Sequence, residues 1–107
     1  MQPLTTQAEF DALAESATVV LLKHGARCPI STRAREEIAA FANAHPNVPV
    51  CAIEVTANRT LSEYVADRLG VTHESPQAIV LRDGRAVWYA THYDITVDEL
   101  VSQLVAR

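Results

Sequence analysis

The chain has 107 residues, of which 49% are hydrophobic, and 9 Lys plus Arg against 13 Asp plus Glu give a formal net charge of -4. This length suits one domain with a single buried core, and the acidic balance argues against a surface that binds nucleic acid. No stretch approaches the roughly 20 apolar residues of a membrane-spanning helix, and the N-terminus MQPLTTQAEF lacks the features of a secretory signal. We therefore expect one cytoplasmic domain over residues 1–107, without a membrane partner.

The first predicted elements are a short helix and a buried strand. Thr6 and Glu9 have the spacing of a capping box, and the apolar residues that follow lie on one stripe, which predicts a helix from Thr6 to about Ser16. The run TVVLLK, from Thr18 to about Lys23, is almost continuously apolar. Such a run is typical of a strand that is buried on both faces, so we expect helices on both sides of the sheet.

A further helix, strand and helix follow. Apolar residues recur at helical spacing over residues 29–45, and proline suits the first position of that helix. The segment VPVCAIEV, residues 48–55, predicts a second buried strand. The segment TLSEYVADRLG predicts a helix that begins with a second capping box, Thr60 with Glu63, and ends at Gly70.

The remaining chain is predicted to form a hairpin and a closing helix. QAIVL and AVWYA flank RDGR, whose Asp83 and Gly84 are typical of a tight turn between antiparallel strands. TVDELVSQLVA has Thr96 and Glu99 at cap spacing. The whole order predicts an α/β fold of the thioredoxin type, with a mixed four-stranded sheet, helices on both faces and a C-terminal hairpin plus helix.

The segment HGARCPIST joins the first buried strand to the next helix and carries Cys28. Ligands bind at the carboxyl ends of such strands, and a helix N-terminus favours an anion. We expect the N–H groups of Ile30 and Ser31, at a helix start set by Pro29, to stabilise the Cys28 thiolate. The Ser31 hydroxyl and the charge of Arg27 should add to this effect. Because Ser31 stands where a second cysteine could be, redox chemistry here must use one thiol.

The second cysteine, Cys51, lies in the middle of a predicted strand among apolar residues. It should be roughly 10 Å or more from Cys28, which is beyond the reach of a disulfide without large movement. We expect it to be packed and inert, with a resolving role as the alternative. The cysteines and histidines show none of the paired spacings of a metal site, so no metal is expected.

Candidate substrate contacts lie in GVTHESPQ, residues 70–77, and just before Cys28. Pro76 stands at the start of a predicted strand, and either isomer of the Ser75–Pro76 bond is open. Lys23 either contacts an acidic group of a bound thiol or forms the solvated end of its strand. Three histidines either polarise a thiol, bind a ligand or are ordinary surface residues: His24, His73 and His92.

The segments KHGARCPIS, GVTHESPQ and RDGR with VWYATHYDIT resemble the monothiol bacilliredoxins, the YtxJ-like thioredoxin-fold family of the bacillithiol system. The likeness covers nearly the whole chain. It implies an enzyme that removes bacillithiol, a thiol built from cysteine, glucosamine and malate, from mixed disulfides on oxidised proteins through Cys28. The family motif is usually Thr-Cys-Pro-Ile-Ser, whereas here Arg27 precedes Cys28.

The resemblance also implies roles around Cys28. Pro76 corresponds to the cis-proline that faces the attacking cysteine, with Ser75 and Gln77 offering backbone groups to the substrate. The malate carboxylates suggest a task for Lys23 and Arg27. We expect no bound cofactor, bacillithiol as the thiol co-substrate, and bacillithiolated client proteins as partners. A second bacillithiol or a reductase would clear Cys28.

Two other functions stay open. A carrier of iron–sulfur clusters, similar to monothiol glutaredoxins, would hold the cluster with Cys28 and a second thiol. The proline after Cys28 does not match the Cys-Gly-Phe-Ser pattern of that family. A thioredoxin-like module could instead bind extended peptides beside Pro76 without turnover, and an unreactive Cys28 would favour it.

Overall fold

The computed structural model describes residues 1–105. Its helices and strands in chain order are β1 (Gln2–Pro3), α1 (Gln7–Ala14), β2 (Thr18–His24), α2 (Pro29–Ala44), β3 (Val50–Glu54), α3 (Arg59–Leu69), β4 (Gln77–Arg82), β5 (Arg85–Thr91) and α4 (Val97–Val105), with a short 3-10 turn at His92–Asp94 before α4. No helix within residues 1–105 is long and apolar enough to cross a bilayer.

The sheet has five strands in the order β1-β3-β2-β4-β5, with β2 at its centre. β1, β3 and β2 are parallel, whereas β4 and β5 run antiparallel to their neighbours. The α/β fold with helices on both faces is confirmed, but the expected count of four strands is wrong. The additional strand, β1, pairs only Gln2 and Pro3 with β3, and two residues are too few to show a strand pattern in the sequence.

The apolar run in β2 supplies both halves of the core. Val19 and Leu21 pack with α1 and α3 on one face of the sheet, while Val20 and Leu22 pack with α2 and α4 on the other. All four side chains are at most 1% exposed. Since successive side chains of a strand point to opposite faces, a central strand covered by helices on both sides has to be continuously apolar.

Side-chain caps form at two of the three predicted capping sites. Thr6 and Glu9 form the complete capping box of α1, and the N–H of Glu99 donates to Thr96 Oγ1 at 3.2 Å before α4. The capping box predicted at Thr60 is wrong.

The third start is displaced because α3 begins at Arg59, with Asn58 as the N-cap residue. The Asn58 side chain does not cap the helix and instead donates to the Glu54 carbonyl at 2.9 Å. Thr60 therefore lies inside the first turn. The helix ends as expected at Gly70, whose φ of 67° lies in the left-handed region that favours glycine.

The hairpin between β4 and β5 is confirmed. Asp83 and Gly84 have φ values of 54° and 80°, the positive values that a tight primed turn requires. β4 runs antiparallel to β2, so its first residues lie at the carboxyl end of β2. The fold thereby brings the segment around Pro76 to the same edge of the sheet as the loop that carries Cys28.

Candidate active site

Cys28 is the N-cap residue of α2 and follows the short loop that leaves β2. Its extended backbone, with φ -95° and ψ 123°, precedes Pro29 at the start of the helix. Proline has no N–H, so the first N–H groups available to the sulfur belong to Ile30 and Ser31. The side chain is half-buried, and its thiol is free.

The surroundings of Cys28 favour the thiolate. Hydrogen bonds from the backbone N–H groups of Ser31 and Ile30 make the largest contributions to lowering the pKa of Cys28, and the Ser31 hydroxyl and the charge of Arg35 lower it further, while partial burial opposes them. The fully buried Ser31 accepts a hydrogen bond from the N–H of Gly25 at 3.0 Å. Its own hydroxyl proton therefore remains available for the sulfur.

Arg35 is a functional residue that the sequence analysis missed. Its guanidinium donates to the Gly25 carbonyl at 2.9 Å and to Thr32 Oγ1 at 3.0 Å. The cation that lowers the pKa of Cys28 is thus Arg35 and not Arg27, which is exposed. Helical spacing could have identified it, because two turns of α2 separate it from Cys28.

His24 contacts the same guanidinium, since Nη1 of Arg35 lies 3.1 Å from His24 Nδ1. Arginine can only donate, so Nδ1 accepts and the imidazole proton resides on Nε2. Burial and the charge of Arg35 lower the pKa of His24, and the nearby Glu54 only partly opposes them. His24 is therefore uncharged at neutral pH and supports the loop before Cys28.

The segment around Pro76 lies at the start of β4. The Ser75–Pro76 peptide bond is cis, and the carbonyl of Pro76 accepts a hydrogen bond from the N–H of His92 at 3.1 Å. Gln77 lies opposite Lys23 in the ladder with β2. Its side chain is fully buried and donates to the Thr72 carbonyl at 3.0 Å, so Ser75 is the more accessible of the two flanking residues.

Lys23 is not the solvated end of a strand. The residue has no exposed surface, and its Nζ donates to the Ser62 carbonyl at 2.9 Å and lies 3.2 Å from Nδ1 of His73. Burial lowers the pKa of Lys23 to about 8. The structure therefore does not bring this amine to the surface beside Cys28.

An open cleft of about 650 Å³ lies beside Cys28. One wall is the loop of residues 25–28, and the other comes from the end of β3 and the loop that follows it, with Glu54, Thr56 and Ala57. Glu54 connects the walls, because its carboxylate accepts hydrogen bonds from the N–H groups of Ala57 at 2.6 Å and Ala26 at 3.1 Å. These bonds, with that of Ala57 the strongest, lower the pKa of Glu54.

The second wall was not predicted, because it comes from a distant part of the chain. One feature of the sequence could have indicated this wall, namely the Glu54 carboxylate at the end of β3. Glu54 lies in register with His24 at the end of β2. The carboxyl ends of neighbouring parallel strands meet at one edge of a sheet.

Cys51 is packed in the core. It is 1% exposed, its thiol donates to the Val20 carbonyl at 3.6 Å, and burial raises the pKa of the thiol to about 12. Such a thiol is almost entirely protonated at neutral pH and is a poor nucleophile. Within residues 1–105, no group of three or more histidine, cysteine or acidic side chains could hold a metal ion.

The family of the chain is decided by a sequence comparison. The family model for the monothiol bacilliredoxin BrxC matches residues 2–100. The chain belongs to the monothiol bacilliredoxin BrxC family. The chain also matches a solved structure described as a candidate oxidoreductase with a thioredoxin fold, at 33% identity and a TM-score of 0.90, covering 94% of this chain and 90% of the other.

Thioredoxins show the same fold at lower identity. Thioredoxin from Fasciola hepatica is 19% identical with a TM-score of 0.78, and the match covers 97% of this chain and 96% of the other chain. Oxidised thioredoxin from Plasmodium falciparum is 16% identical with a TM-score of 0.80, covering 99% of each chain. The family and the fold together identify the chain as a thiol oxidoreductase.

Proposed function

We propose that the chain removes bacillithiol from protein mixed disulfides with Cys28 as its only reacting thiol. The observation that carries the proposal is the contrast between the two cysteines. Cys28 lies beside an open cleft with donors and a cation that lower its pKa, whereas Cys51 is buried and its pKa is raised.

The first step is a thiol–disulfide exchange. The Cys28 thiolate attacks the bacillithiol sulfur of the mixed disulfide, a new S–S bond forms between them, and the client cysteine leaves as a thiolate that takes a proton from water. The N–H groups of Ile30 and Ser31 hold the attacking sulfur as an anion. They also make Cys28 a good leaving group in the next exchange.

The second step restores Cys28. A second bacillithiol thiolate attacks the bacillithiol sulfur bound to Cys28, which yields bacillithiol disulfide and the free Cys28 thiolate, or a reductase supplies the two electrons instead. We propose bacillithiol as the co-substrate, with no resident cofactor, and bacillithiolated proteins of a reducing cytoplasm as clients.

The substrate contacts are proposals of the same kind. Pro76 and the accessible Ser75 would lie along the client segment, with Gln77 fixing the start of β4 through its buried side chain. Exposed Arg27 would border the cleft, where it is free to contact an acidic group. His24 would also border the substrate, because its Nδ1 is held by Arg35 while the Nε2–H would remain a donor.

The test compares Cys28→Ser with Cys51→Ser in the removal of bacillithiol from a purified client. Cys28→Ser should abolish removal, whereas Cys51→Ser should keep a rate within about twofold of the wild type, since its thiol takes no part. Removal by Cys28→Ser would contradict the mechanism. Loss of activity in folded Cys51→Ser would instead support a resolving role for Cys51.

A further inference from the structure

A second cleft adjoins the one beside Cys28. The two share Thr56, and the second has a volume of about 360 Å³. Its walls are the start of the loop after β3, the first turns of α3 and one residue of the loop before β4, namely Val55, Thr56, Arg59, Ser62, Glu63 and His73. A molecule attached to Cys28 could therefore extend past Thr56 into this second cleft.

The start of α3 lacks a side-chain cap at this cleft. Asn58, the N-cap residue, makes no capping hydrogen bond because its amide donates to the Glu54 carbonyl. The N–H groups of the first turn are thus left without a side-chain acceptor. Together with the positive end of the helix dipole, they favour an anion.

Ser62 provides an independent sign of a missing ligand. The residue is 2% exposed and lines the cleft, and its Oγ has no hydrogen-bond partner within the described part of the chain. A buried hydroxyl without a partner is costly and usually marks a place where a ligand or water completes the bonding. An anionic oxygen in the cleft would accept this hydrogen bond.

Positive charge lies behind the second cleft, as an anionic ligand requires. Buried Lys23 contacts only neutral acceptors, the Ser62 carbonyl and His73 Nδ1, and forms no ion pair with a residue in the range 1–105. A protonated lysine only donates, so His73 accepts at Nδ1 and carries its proton on Nε2, as a donor directed away from Lys23. Arg59 adds an exposed cation, and Glu63 is the opposing charge in the lining.

We propose that this second cleft binds a carboxylate of the small thiol while the sulfur of that thiol is bonded to Cys28. The inference rests on the proposed function and names the part of the substrate that the enzyme selects. In bacillithiol this part is the malate. Thiols without a carboxylate would still react at Cys28, but they would lose the contacts with Arg59, Ser62 and His73.

The first test uses adducts made without a client protein. Cys28 first reacts with the disulfide dithiobis(nitrobenzoate), which forms a mixed disulfide on Cys28 and releases one thionitrobenzoate. The thionitrobenzoate bound to Cys28 is then displaced either by bacillithiol or by cysteinylglucosamine, the corresponding thiol without malate. NMR spectra of the two adducts should differ at the backbone N–H groups of residues 59–61 and at the His73 ring. Spectra that differ only in the loop of residues 25–28 would overturn the proposal.

The second test measures the preference in turnover. The same client peptide carries either bacillithiol or cysteinylglucosamine in a mixed disulfide. Any difference between the two rates of removal is therefore caused by the malate. The kcat/KM for removal of bacillithiol should be at least about tenfold higher than the kcat/KM for removal of cysteinylglucosamine. A tenfold difference is the size expected for a charge-assisted hydrogen bond. Arg59→Gln should reduce this ratio severalfold and Glu63→Gln should raise it. Arg85→Gln, a charge control on an exposed strand, should leave it unchanged.

The outcomes separate the two proposals. Equal rates for both thiols, with both still transferred to Cys28, would overturn the carboxylate site and leave the proposed function standing. If Cys28 accepts neither thiol from the client, the proposed function fails, and the spectra of the chemically made adducts still decide whether the cleft binds the carboxylate.

Discussion

Burial of Lys23 predicts how the free energy of unfolding depends on pH. The variant Lys23→Met tests this prediction. The residue has no exposed surface, and burial lowers its pKa from 10.5 to about 8. The folded state therefore holds this proton less tightly than the unfolded chain, so the unfolded state binds more protons between these pH values and stability rises with pH. At about 1.4 kcal/mol per pH unit, the wild type should gain on the order of 2–3 kcal/mol relative to Lys23→Met between about pH 7 and about pH 10.

The free energy of unfolding is obtained by urea denaturation of both proteins across this pH range, and the difference between them removes the titration of shared groups. Lys23 is also the only lysine in the sequence, so isotopic labelling of lysine gives a single side-chain NMR signal that reports the same pKa. Parallel stability profiles for the two proteins, or a lysine signal that titrates at its ordinary pKa, would refute the desolvation argument.

Three further predictions concern the two thiols. Ser31→Ala removes the hydroxyl that donates to the sulfur and should raise the pKa of Cys28, measured by thiolate absorbance against pH; an unchanged titration would contradict that hydrogen bond. Arg35→Gln should raise the same pKa, whereas Arg33→Gln, whose guanidinium lies over the Tyr93 ring, should not, and equal effects would assign the change to net charge alone. Cys51, with its pKa raised to about 12, should resist alkylation in the folded protein while Cys28 reacts, and it should react once urea unfolds the chain; labelling of both thiols without urea would contradict the packing.

Most of the fold was predictable because its signals are local. The apolar run of β2 encodes burial on both faces, and the Asp83–Gly84 pair encodes the hairpin. β1 was not predictable, since two residues carry no periodicity and Pro3 is a weak strand former. The start of α3 was misplaced because the Asn58 side chain bonds the Glu54 carbonyl within the preceding loop instead of capping the helix, which the spacing of Thr60 and Glu63 does not indicate.

The residues of the candidate site also divide into those that the sequence predicts and those that depend on packing. The positions of Cys28 and Ser31 relative to the helix start follow from adjacency in the sequence. Arg35 and Glu54 depend on how α2 and β3 pack around the loop. The burial of Lys23 depends on α3 covering the carboxyl end of β2, so the sequence left open whether its amine is solvated.

The most direct test of the central claim is the intact mass of the protein after brief incubation with a bacillithiolated client, with a glutathionylated client in parallel. The account predicts one bacillithiol adduct, mapped by peptide mass to Cys28 and absent from Cys28→Ser, which forms faster than the glutathione adduct. A folded protein that acquires no adduct from either client, or acquires one on Cys51, would contradict single-thiol transfer through Cys28.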